Sequence, residues 1–600
     1  MRKELRNREC FSPSVSVYRW WARRSHLLIG ELIDNAIESL GNTITVSDPM
    51  SGGGTVAIEA ARRGLTVYAQ DINPWAALGL ETVLKPIDPK ELETAANQLI
   101  KHLEPVRNEL YSHPEIKGAE IVCQLYTRKL KCPSCHSNIY LYPTRLLALD
   151  GRPSSNPKTA WYGCPSCGAV THGRFKRPPK KCSSCSKIYS ESPTTPRIRN
   201  YSMLCSHCGK KLLLSPQLLH YAKFFPALAQ VNIDGKTSFV PGVTKGMRLY
   251  NISKFGKTLD LPISDGLEMR ALKRMGFKRW RDIYPERQLR AIDIALNLVP
   301  TTTSNEAIAQ RLRLSIAGFG EMAGYIARWD PRYRKVYEVI ANHHYGRVYL
   351  SAEVNPLGEI GRGTLSKRLC LAVKAAKWFS GSQRTSVFVG SSENQPITDE
   401  SVDLVITDPP YFDSVQYGEL SQIFIVFGSA CGLSLAKFKG SSEAVPNLKM
   451  SRGKEEYKKI LGRIMRETTR TLKQDGRLLL TFHDKSLIAW IALSEALREG
   501  ELQVIGISVV HSENEMDHAK HGKQSMTSDL VLECVKDAKR ETVAKLCTQP
   551  ETSLEKNLIA MGLAIAEYLS IHGSISQDEN MFSKIFNSKV SAYNCEPIIS

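Results

Sequence analysis

The sequence predicts an α/β protein whose main domain is a doubly wound, mostly parallel sheet, interrupted by a long insertion. Two observations predict it. Short β-branched strands alternate with amphipathic helices near both ends of the chain, as they do in parallel βαβ units. Between residues 127 and 350 this alternation stops. Separate globules would leave each half-sheet with an uncovered edge, so we expect the two ends of the chain to form one sheet.

The N-terminal part of the chain has the pattern that opens such a sheet. Residues 17–40 have helical periodicity, and a short strand follows at Thr43–Val46. A glycine-rich turn, a helix at 55–63 and a second strand ending in Asp71 complete the unit. Strand, glycine loop, helix and strand in this order begin a nucleotide-binding βαβ fold. We assign residues 1–126 to the N-terminal half of this domain.

The glycine loop is the first candidate binding site. Asp48–Thr55 has the sequence DPMSGGGT, and its three consecutive glycines let the backbone approach a ligand and offer amide N–H groups at a helix N-terminus. Asp71 ends the next strand, where an acid commonly accepts hydrogen bonds from ribose hydroxyls. A plain tight turn is one alternative. A nicotinamide dinucleotide is the other, but its loop has the spacing GxGxxG.

The C-terminal half resumes the α/β pattern and contains the second candidate site. The strand DLVIT leads directly into Asp408, Pro409, Pro410 and Tyr411. Helices at 454–474 and 486–499 alternate with three further apolar strands. We assign 351–540 to this half of the domain, and 541–600 to a helical C-terminal tail.

The insertion begins with a cysteine-rich, basic region at 127–212 and continues at 213–350 as a mixed, mostly helical segment. The cysteines form four CxxC pairs, Cys132/Cys135, Cys164/Cys167, Cys182/Cys185 and Cys205/Cys208. In a reducing cytosol this spacing indicates metal rather than disulfides, and two four-thiolate zinc sites account for all eight thiols. Sites of this kind are closed and structural. We prefer sequential pairing, first pair with second and third with fourth; a nested pairing stays open.

Charge and composition point to a polyanionic partner. The chain of 600 residues has a net charge of +20, and its 42% hydrophobic content is ordinary for a soluble protein. Between Arg128 and Lys211 there are 16 Lys and Arg but two acids. A basic, aromatic-containing region favours nucleic acid, although solubility or a scaffold role would also explain it. No apolar run or leader is evident, so we expect a cytoplasmic, nucleoid-associated protein with no membrane partner.

The two loops together resemble those of the amino-methyltransferases. DPMSGGGT is similar to their motif I, DPFxGxGT, with Met50 in place of Phe, and DPPY is similar to their motif IV. More closely, the chain resembles the prokaryotic zinc-ribbon-containing adenine-specific DNA methylases, which are often encoded near restriction or phage-defence genes. The resemblance is carried by WWARR (20–24), DPMSGGGT, YPERQL, AEVNP, VDLVITDPPYFDSVQYGELS and TFHDKS.

The resemblance implies a class I S-adenosylmethionine methyltransferase sheet, with DNA as substrate and a restriction or defence nuclease or helicase as a possible partner. It places residues 21–24 near the cofactor and target recognition in 213–350. The cofactor-binding residues it implies are Asp48, Met50, Ser51, Gly52, Gly53, Gly54, Thr55, Asp71, Ile72 and Ser391. An Asp at the start of DPPY favours adenine over cytosine.

The chemistry of amine methylation explains the DPPY residues. An exocyclic aromatic amine is a poor nucleophile because its lone pair is delocalised into the ring. Asp408 and the Pro409 carbonyl can each accept one N–H, which stabilises the positive charge that develops on nitrogen. Pro409 and Pro410 fix the loop, and Tyr411 offers a face for a base rotated out of the duplex. His483 is a further candidate near the loop, although a lone histidine is more often structural.

Three alternatives remain open at this point. DPPY loops also occur in enzymes that methylate RNA amines, and zinc ribbons with a basic surface suit RNA equally well. Methylation of cytosine at N4 is the second alternative. The third is a zinc-ribbon DNA-binding protein that keeps the fold without turnover, which the intact Asp408 and the three glycines argue against.

Overall fold

The computed structural model describes residues 12–243, 254–412, 415–436, 443–447, 453–511, 528–536, 544–571 and 579–593. Residues 1–11, on which the expectation of no leader partly rests, lie outside these ranges. Contacts divide the chain into two units. The first comprises 1–88, 374–421 and 435–600, and the second 89–373 and 422–434.

The secondary structure within the described ranges alternates as the sequence predicts at both ends of the chain. The strands are β1 (Thr45–Asp48), β2 (Thr66–Asp71), β3 (Glu120–Lys131), β4 (Asn138–Tyr140), β5 (Leu146–Leu149), β6 (Thr159–Gly163), β7 (Val170–Arg174), β8 (Ser202–Leu204), β9 (Lys211–Leu213), β10 (Lys223–Ile233), β11 (Lys236–Pro241), β12 (Arg328–Asp330), β13 (Lys335–Tyr337), β14 (Ser351–Val354), β15 (Thr385–Val389), β16 (Val402–Thr407), β17 (Leu472–Phe482), β18 (Leu502–His511), β19 (Ser528–Lys536) and β20 (Lys545–Leu546). The α-helices are α1 (His26–Leu40), α2 (Thr55–Arg62), α3 (Pro74–Leu84), α4 (Pro89–Tyr111), α5 (Pro216–His220), α6 (Lys254–Thr258), α7 (Met269–Arg274), α8 (Glu286–Leu298), α9 (Glu306–Ala317), α10 (Leu365–Trp378), α11 (Tyr417–Ala430), α12 (Lys454–Thr471), α13 (Leu487–Glu499), α14 (Ser553–Ser570) and α15 (Glu579–Ala592).

The first unit is built on an eight-stranded sheet of order β15-β2-β1-β16-β17-β19-β18-β20. The strands from β15 to β17 are parallel to their neighbours, and β19 is antiparallel to both β17 and β18. Strands from both ends of the sequence therefore lie in one sheet. The predicted α/β class, with one large and mainly parallel sheet, is confirmed.

The parallel strands bring three chain segments to one edge of the sheet. β1 ends at Asp48, β2 at Asp71 and β16 at Thr407, directly before the DPPY loop. The strand order reverses between β1 and β16. On one side of this point lie β1, β2 and β15, and on the other lie β16 and β17. In doubly wound sheets, ligands bind in the crevice outside the carboxyl ends at such a reversal.

The first helix is shorter than the periodicity of residues 17–40 predicts. It begins at His26, and the Ser25 hydroxyl caps it by accepting a hydrogen bond from the Leu28 amide at 3.3 Å. Residues 18–25 are instead non-helical. The prediction was wrong here because apolar and basic side chains at helical spacing also occur in an irregular segment, which packs onto the glycine loop through Trp20 and Arg23.

The second unit contains a separate, antiparallel sheet of order β11-β10-β3-β14-β12-β13, with β4 added at β3. Segment 213–350 contributes four strands and five α-helices among its described residues. A buried ion pair supports this unit: the Arg287 guanidinium donates to both carboxylate oxygens of Glu353, at 2.7 and 2.9 Å. The hydroxyls of Tyr111 and Tyr126 donate to the same carboxylate, so the protein itself solvates this buried charge.

The cysteine region lies in this second unit and forms small antiparallel hairpins. β5, β6 and β7 form a three-stranded sheet, and β8 pairs with β9. Among the described residues, no helix combines the length and the apolar character needed to cross a membrane.

Candidate active site and metal centres

The glycine loop is held in place by the acid at the end of the next strand. The Gly52 amide donates to Asp71 Oδ2 at 2.7 Å, and the Asn73 amide donates to Asp71 Oδ1 at 2.8 Å. Burial raises the pKa of Asp71 to about 6, against the effect of these two hydrogen bonds. The acid predicted to bind a ligand therefore also fixes the loop, and each of its oxygens keeps a further lone pair for a ligand.

The glycines of the loop are required by conformation and by close packing. Gly52 and Gly54 have φ of +44° and +75°, in the left-handed region. A Cβ on Gly52 would lie 2.6 Å from Trp20 Nε1, and one on Gly54 would lie 2.4 Å from Leu80 Cδ1. Gly53 is equally crowded, because the Arg23 side chain packs against it. A side chain at any of the three positions would displace the residues that pack onto the loop.

Asp48 ties the end of β1 to the end of β16. It is 4% exposed, and its Oδ1 accepts from the Met50 amide at 3.2 Å and from Thr407 Oγ1 at 3.3 Å. Burial raises the pKa of Asp48 to about 8, and the nearby carboxylates of Asp71 and Asp408 add to the shift. Asp48 therefore links the glycine loop to the strand that carries the DPPY loop.

One pocket lies beside this loop and gathers several of the predicted cofactor residues. It has about 600 Å³ of empty space, including its open mouth. Its lining residues are Trp20, Pro49, Met50, Asp71, Ile72, Asn73, Ser391, Ser392, Pro410, Tyr417, Glu443, Ala444, Val445, Ile460 and Ile464. The rings of Trp20 and Tyr417 are stacked, with centroids 5.3 Å apart. A flat aromatic ligand suits a pocket that pairs apolar walls with the acid Asp71.

A second pocket connects the glycine loop with the DPPY loop. Its lining residues are Ala22, Arg23, Arg24, Ile29, Asp48, Ser51, Gly53, Gly54, Thr55, Val56, Ile406, Thr407, Asp408 and Thr481. The buried Ser51 hydroxyl has no hydrogen-bond partner among the described residues. A buried, unpartnered hydroxyl in a pocket is a natural contact for a polar ligand group. The predicted cofactor residues other than Gly52, which lines neither pocket, thus divide between the two pockets.

Asp408 presents its two carboxylate oxygens differently. Oδ1 accepts from Arg24 at 2.6 Å, from the Tyr411 hydroxyl at 3.0 Å and from Thr481 Oγ1 at 3.2 Å. No hydrogen bond to Oδ2 is formed within the described part of the chain, and the Asp408 side chain is 26% exposed. Burial raises the pKa of Asp408, and the Arg24 guanidinium opposes that effect. One oxygen is therefore held firmly while the other can accept a ligand's N–H.

The rest of the DPPY loop is fixed from neighbouring elements. The Tyr457 hydroxyl donates to the Pro410 carbonyl at 2.9 Å, and the Phe412 amide donates to Asp484 Oδ2 at 3.1 Å. Pro409 is buried, and no described residue donates to its carbonyl. The two acceptors that the sequence predicts, Asp408 and the Pro409 carbonyl, thus both retain capacity to accept.

Part of the network behind Asp408 could not be found from the sequence. Asp529, with a fully buried side chain, accepts from Arg24 and pairs with His483 Nδ1. The His483 ring lies against the Tyr411 ring, with centroids 4.5 Å apart. WWARR and His483 stand out in the sequence, but Asp529 carries no local signal because it is the second residue of an ordinary apolar strand.

The four CxxC pairs have the same local structure. In each, the first cysteine amide donates to the carbonyl five residues later, and its own carbonyl accepts from the amide four residues later. The residue four after the first cysteine has positive φ in every case: His136, Gly168, Ser186 and Gly209. Such a turn directs both thiols to one side, as a tetrahedral metal site requires.

The thiols gather into two clusters, and each cluster could hold a structural zinc ion. One comprises Cys132, Cys135, Cys205 and Cys208, and the other Cys164, Cys167, Cys182 and Cys185. Sulfur–sulfur distances across them are 4.0 and 3.8 Å in the first and 3.6 and 3.7 Å in the second. Four thiolates at Zn–S distances of about 2.3 Å would be separated by about 3.8 Å, so the donor set fits the metal.

This arrangement is nested, and the preferred sequential pairing was wrong. Because the four turns are alike, nothing local selects a partner. The hairpins do not select one either, because β3 pairs with β4 across the first turn, β6 with β7 across the second and β8 with β9 across the fourth. His207 in the fourth turn bonds to the Asn138 carbonyl of β4 at 3.0 Å, which keeps the first and fourth turns together.

No protein-family model matches the sequence, and no curated protein matches it. Function is therefore inferred from the geometry of the two loops and the two thiol clusters.

Proposed function

We propose that this chain is an S-adenosylmethionine-dependent DNA methyltransferase that modifies the N6 amine of an adenine rotated out of the duplex. The observation that carries the proposal is the asymmetry of Asp408. Oδ1 is held by three donors, while Oδ2 and the Pro409 carbonyl have no donor among the described residues. Two adjacent acceptors on a rigid loop are what an aromatic NH₂ group needs to become nucleophilic.

The cofactor would occupy the pockets that adjoin the glycine loop. The bound cofactor supplies an electrophilic methyl group on a sulfonium. The Trp20–Tyr417 pocket suits its adenine ring, and Asp71 suits its ribose hydroxyls. Ser51, Gly53 and Gly54 line the second pocket, which reaches Asp408. This order along one groove supports a methyl donor at the glycine loop and an acceptor amine at the DPPY loop.

The residues of the chain would then act on the amine. Asp408 Oδ2 and the Pro409 carbonyl accept its two hydrogens, so the nitrogen lone pair is freed from the ring and directed at the methyl carbon. Asp408 and the Pro409 carbonyl would hold the amine in this orientation while its nitrogen takes the methyl group and the electron pair of the broken carbon–sulfur bond leaves with the sulfur. The nitrogen then loses one proton, for which the carboxylate of Asp408 is the adjacent acceptor.

The second unit supports nucleic acid as the substrate. Its cysteine region carries 16 Lys and Arg against two acids between residues 128 and 211, and phosphate neutralisation by such a surface gives strong, salt-dependent binding. The two zinc ribbons are proposed to present this surface to DNA, and segment 213–350 to recognise the target. A restriction or defence nuclease or helicase partner and a nucleoid location belong to the same proposal.

The test is methyl transfer by the purified full chain with unmethylated duplex DNA, followed by nucleoside mass spectrometry. We expect N6-methyladenine with the wild type and with Asp475→Ala, which removes an exposed acid from the first half of β17. Asp408→Ala should lower kcat by at least about 100-fold. Methyl transfer to tRNA or rRNA alone would show that the substrate is RNA and not DNA. N4-methylcytosine in place of N6-methyladenine would show that the target base is cytosine. Cofactor and DNA binding without any transfer would refute the enzyme.

A further inference from the structure

A hydrogen-bonded series of side chains, Asp408–Arg24–Asp529–His483, lies behind the face of Asp408 that would meet the amine. Arg24 NH2 donates to Asp408 Oδ1, and Arg24 NH1 pairs with Asp529 Oδ2. The other oxygen of Asp529 pairs with His483 Nδ1. One guanidinium therefore bridges two carboxylates, and the His483 imidazole is the last member of the series.

The middle of this series, Arg24 and Asp529, is shielded from solvent, and Arg24 is bonded to the glycine loop. The side chains of Arg24 and Asp529 are 10% and 0% exposed. The Arg24 carbonyl accepts from Thr55 Oγ1 at 3.2 Å, at the first residue of the helix that follows the glycines. A buried arginine bridge is costly to assemble, and removing one partner leaves an uncompensated charge, so its geometry is strongly fixed.

The bridge decides which oxygen of Asp408 is available. Three donors on Oδ1, one of them a single Arg24 nitrogen, hold the carboxylate and leave Oδ2 for the ligand. Without Arg24, Asp408 would face Asp529 and Asp48 without an arginine between them. A protonated Asp408 could no longer accept an amine hydrogen and also take up the proton that the amine loses.

We propose that Arg24 is the positioning residue of the methyl-transfer reaction, holding Asp408 as a carboxylate with Oδ2 directed at the target amine, and that Asp529 and His483 hold Arg24 in place. The inference rests on the proposed function and deepens it. It assigns a role to WWARR that is separate from cofactor binding. It also gives His483 an indirect role, through Asp529, in place of direct contact with the substrate.

The pH dependence follows from the charges around Asp408. The titratable or charged groups that act on it are Arg24, Asp529, His483, Tyr411 and Asp48. Burial raises the pKa of Asp408, and Arg24 is the largest opposing influence. Replacing Arg24 by a neutral residue therefore raises that pKa further. Because transfer needs the carboxylate, the acidic limb of kcat should move to higher pH.

The experiment compares Arg24→Ala, Arg24→Lys and Asp529→Asn with wild type, measuring kcat against pH, the cofactor Kd and the thermal unfolding midpoint. Arg466→Ala is the control, since it removes an exposed helix arginine paired with Glu499. For Arg24→Ala we expect kcat to fall on the order of 100-fold with the acidic limb at higher pH. The cofactor Kd should rise by a much smaller factor, since Arg24 also lines the second pocket. Arg24→Lys should recover only part of kcat, because an ammonium cannot bridge two carboxylates in the same fork geometry.

The outcomes separate this inference from the proposed function. If wild type and Asp408→Ala are both inactive on every amine, the proposed function fails. If wild type is active and Asp408→Ala is not, but the Arg24 variants keep the wild-type kcat and acidic limb, the positioning role is refuted. An equal loss of cofactor binding and kcat would also refute it, since Arg24 would then serve the cofactor. Should Arg24→Ala fail to fold, Arg24→Lys decides by the same pH profile. Asp529→Asn then decides by its loss of kcat alone, because it also removes a charge that raises the pKa of Asp408.

Discussion

The carboxyl edge of the large sheet and the cysteine region both bring distant residues together, but by different means. At the sheet edge, parallel strands place Asp48, Asp71 and Asp408 side by side because every strand ends at the same edge. In the cysteine region, four equal turns meet through short hairpins that follow no general order. Which distant residues come together can therefore be predicted where the fold class fixes the strand order. It cannot be predicted where several turns of identical local structure could pair in more than one way.

The largest expected effect tests the cysteine side of this comparison. Cys132→Ser combined with Cys205→Ser should remove one zinc from the protein, because both thiols belong to one cluster. Cys132→Ser combined with Cys164→Ser should remove both. Structural zinc contributes about 10–16 kcal/mol in small domains, so each loss should also lower the unfolding midpoint of the second unit.

Zinc content by elemental analysis, with protein concentration from amino-acid analysis, distinguishes the two pairings directly. Sequential pairing would give the reverse result, with both ions lost from the first double variant and one from the second. Cys370→Ser, at an exposed thiol outside both clusters, is the control and should keep both ions.

At the sheet edge, the buried acid Asp48 should make stability depend on pH. Its pKa is about 8 in the folded protein against an ordinary 3.8, so folding takes up a proton between these values. The stabilisation is complete below pH 3.8 and is lost as the pH rises towards 8. For one proton the slope is about 1.4 kcal/mol per pH unit.

Asp48→Asn should remove this slope, and urea unfolding at several pH values between about 5 and 8 measures it. Other groups titrate in this range, so the quantity of interest is the difference between wild type and variant. Asp475→Asn, at an exposed position, should leave the slope unchanged. Parallel curves for wild type and Asp48→Asn would mean that Asp48 is ionised in the folded protein.

The glycine loop offers a smaller, steric test. Gly54→Ala puts a Cβ 2.4 Å from Leu80 at φ +75°, so both crowding and strain oppose it. Gly64→Ala is the matched control, because Gly64 has φ +76° with nothing within 4 Å of its Cβ position. We expect about 1–2 kcal/mol of destabilisation for Gly64→Ala and roughly 1–3 kcal/mol more for Gly54→Ala.

Chemical unfolding and cofactor titration measure these two variants. Only Gly54→Ala should also weaken cofactor binding, because Gly54 lines the second pocket and Gly64 lines neither. Equal losses of stability in the two variants would show that the Leu80 side chain moves aside without lowering the free energy of unfolding.

The smallest effect concerns the metal turns. His136 and Ser186 adopt positive φ where the equivalent residues of the other two turns are Gly168 and Gly209. Relief of the left-handed strain by His136→Gly is worth about 1 kcal/mol and is partly offset by the greater entropy of the unfolded chain. We expect a gain of less than about 1 kcal/mol in zinc-dependent stability, measured by competition with a chelator. A loss would show that the His136 side chain contributes to the turn.

Much of the first unit could be predicted from the sequence. β16 and the loop after it are evident because an apolar strand runs into two prolines, and β1, α2 and β2 follow from their periodicity and the glycines. Each of these signals is contiguous. The glycine loop and the DPPY loop could be identified because the residues of each follow one another directly in the sequence.

What could not be predicted depends on tertiary partners. Arg24 is one of several arginines near the N-terminus, and only the register of β19 puts Asp529 beside it. The zinc pairing failed for the same reason. The start of α1 was misjudged because residues 18–25 have helical spacing but form an irregular segment that packs against the glycine loop.

The nesting of the zinc clusters has a consequence for synthesis on the ribosome. The inner cluster closes a short interval, since Cys167 and Cys182 are 15 residues apart. The outer cluster must wait for Cys205, which follows Cys135 by 70 residues. As the chain emerges, the inner ribbon can load metal and fold while the first turn is still without its partner. Zinc would therefore be bound from the inside outwards, and the outer cluster could bind its ion only when the whole cysteine region has left the exit tunnel.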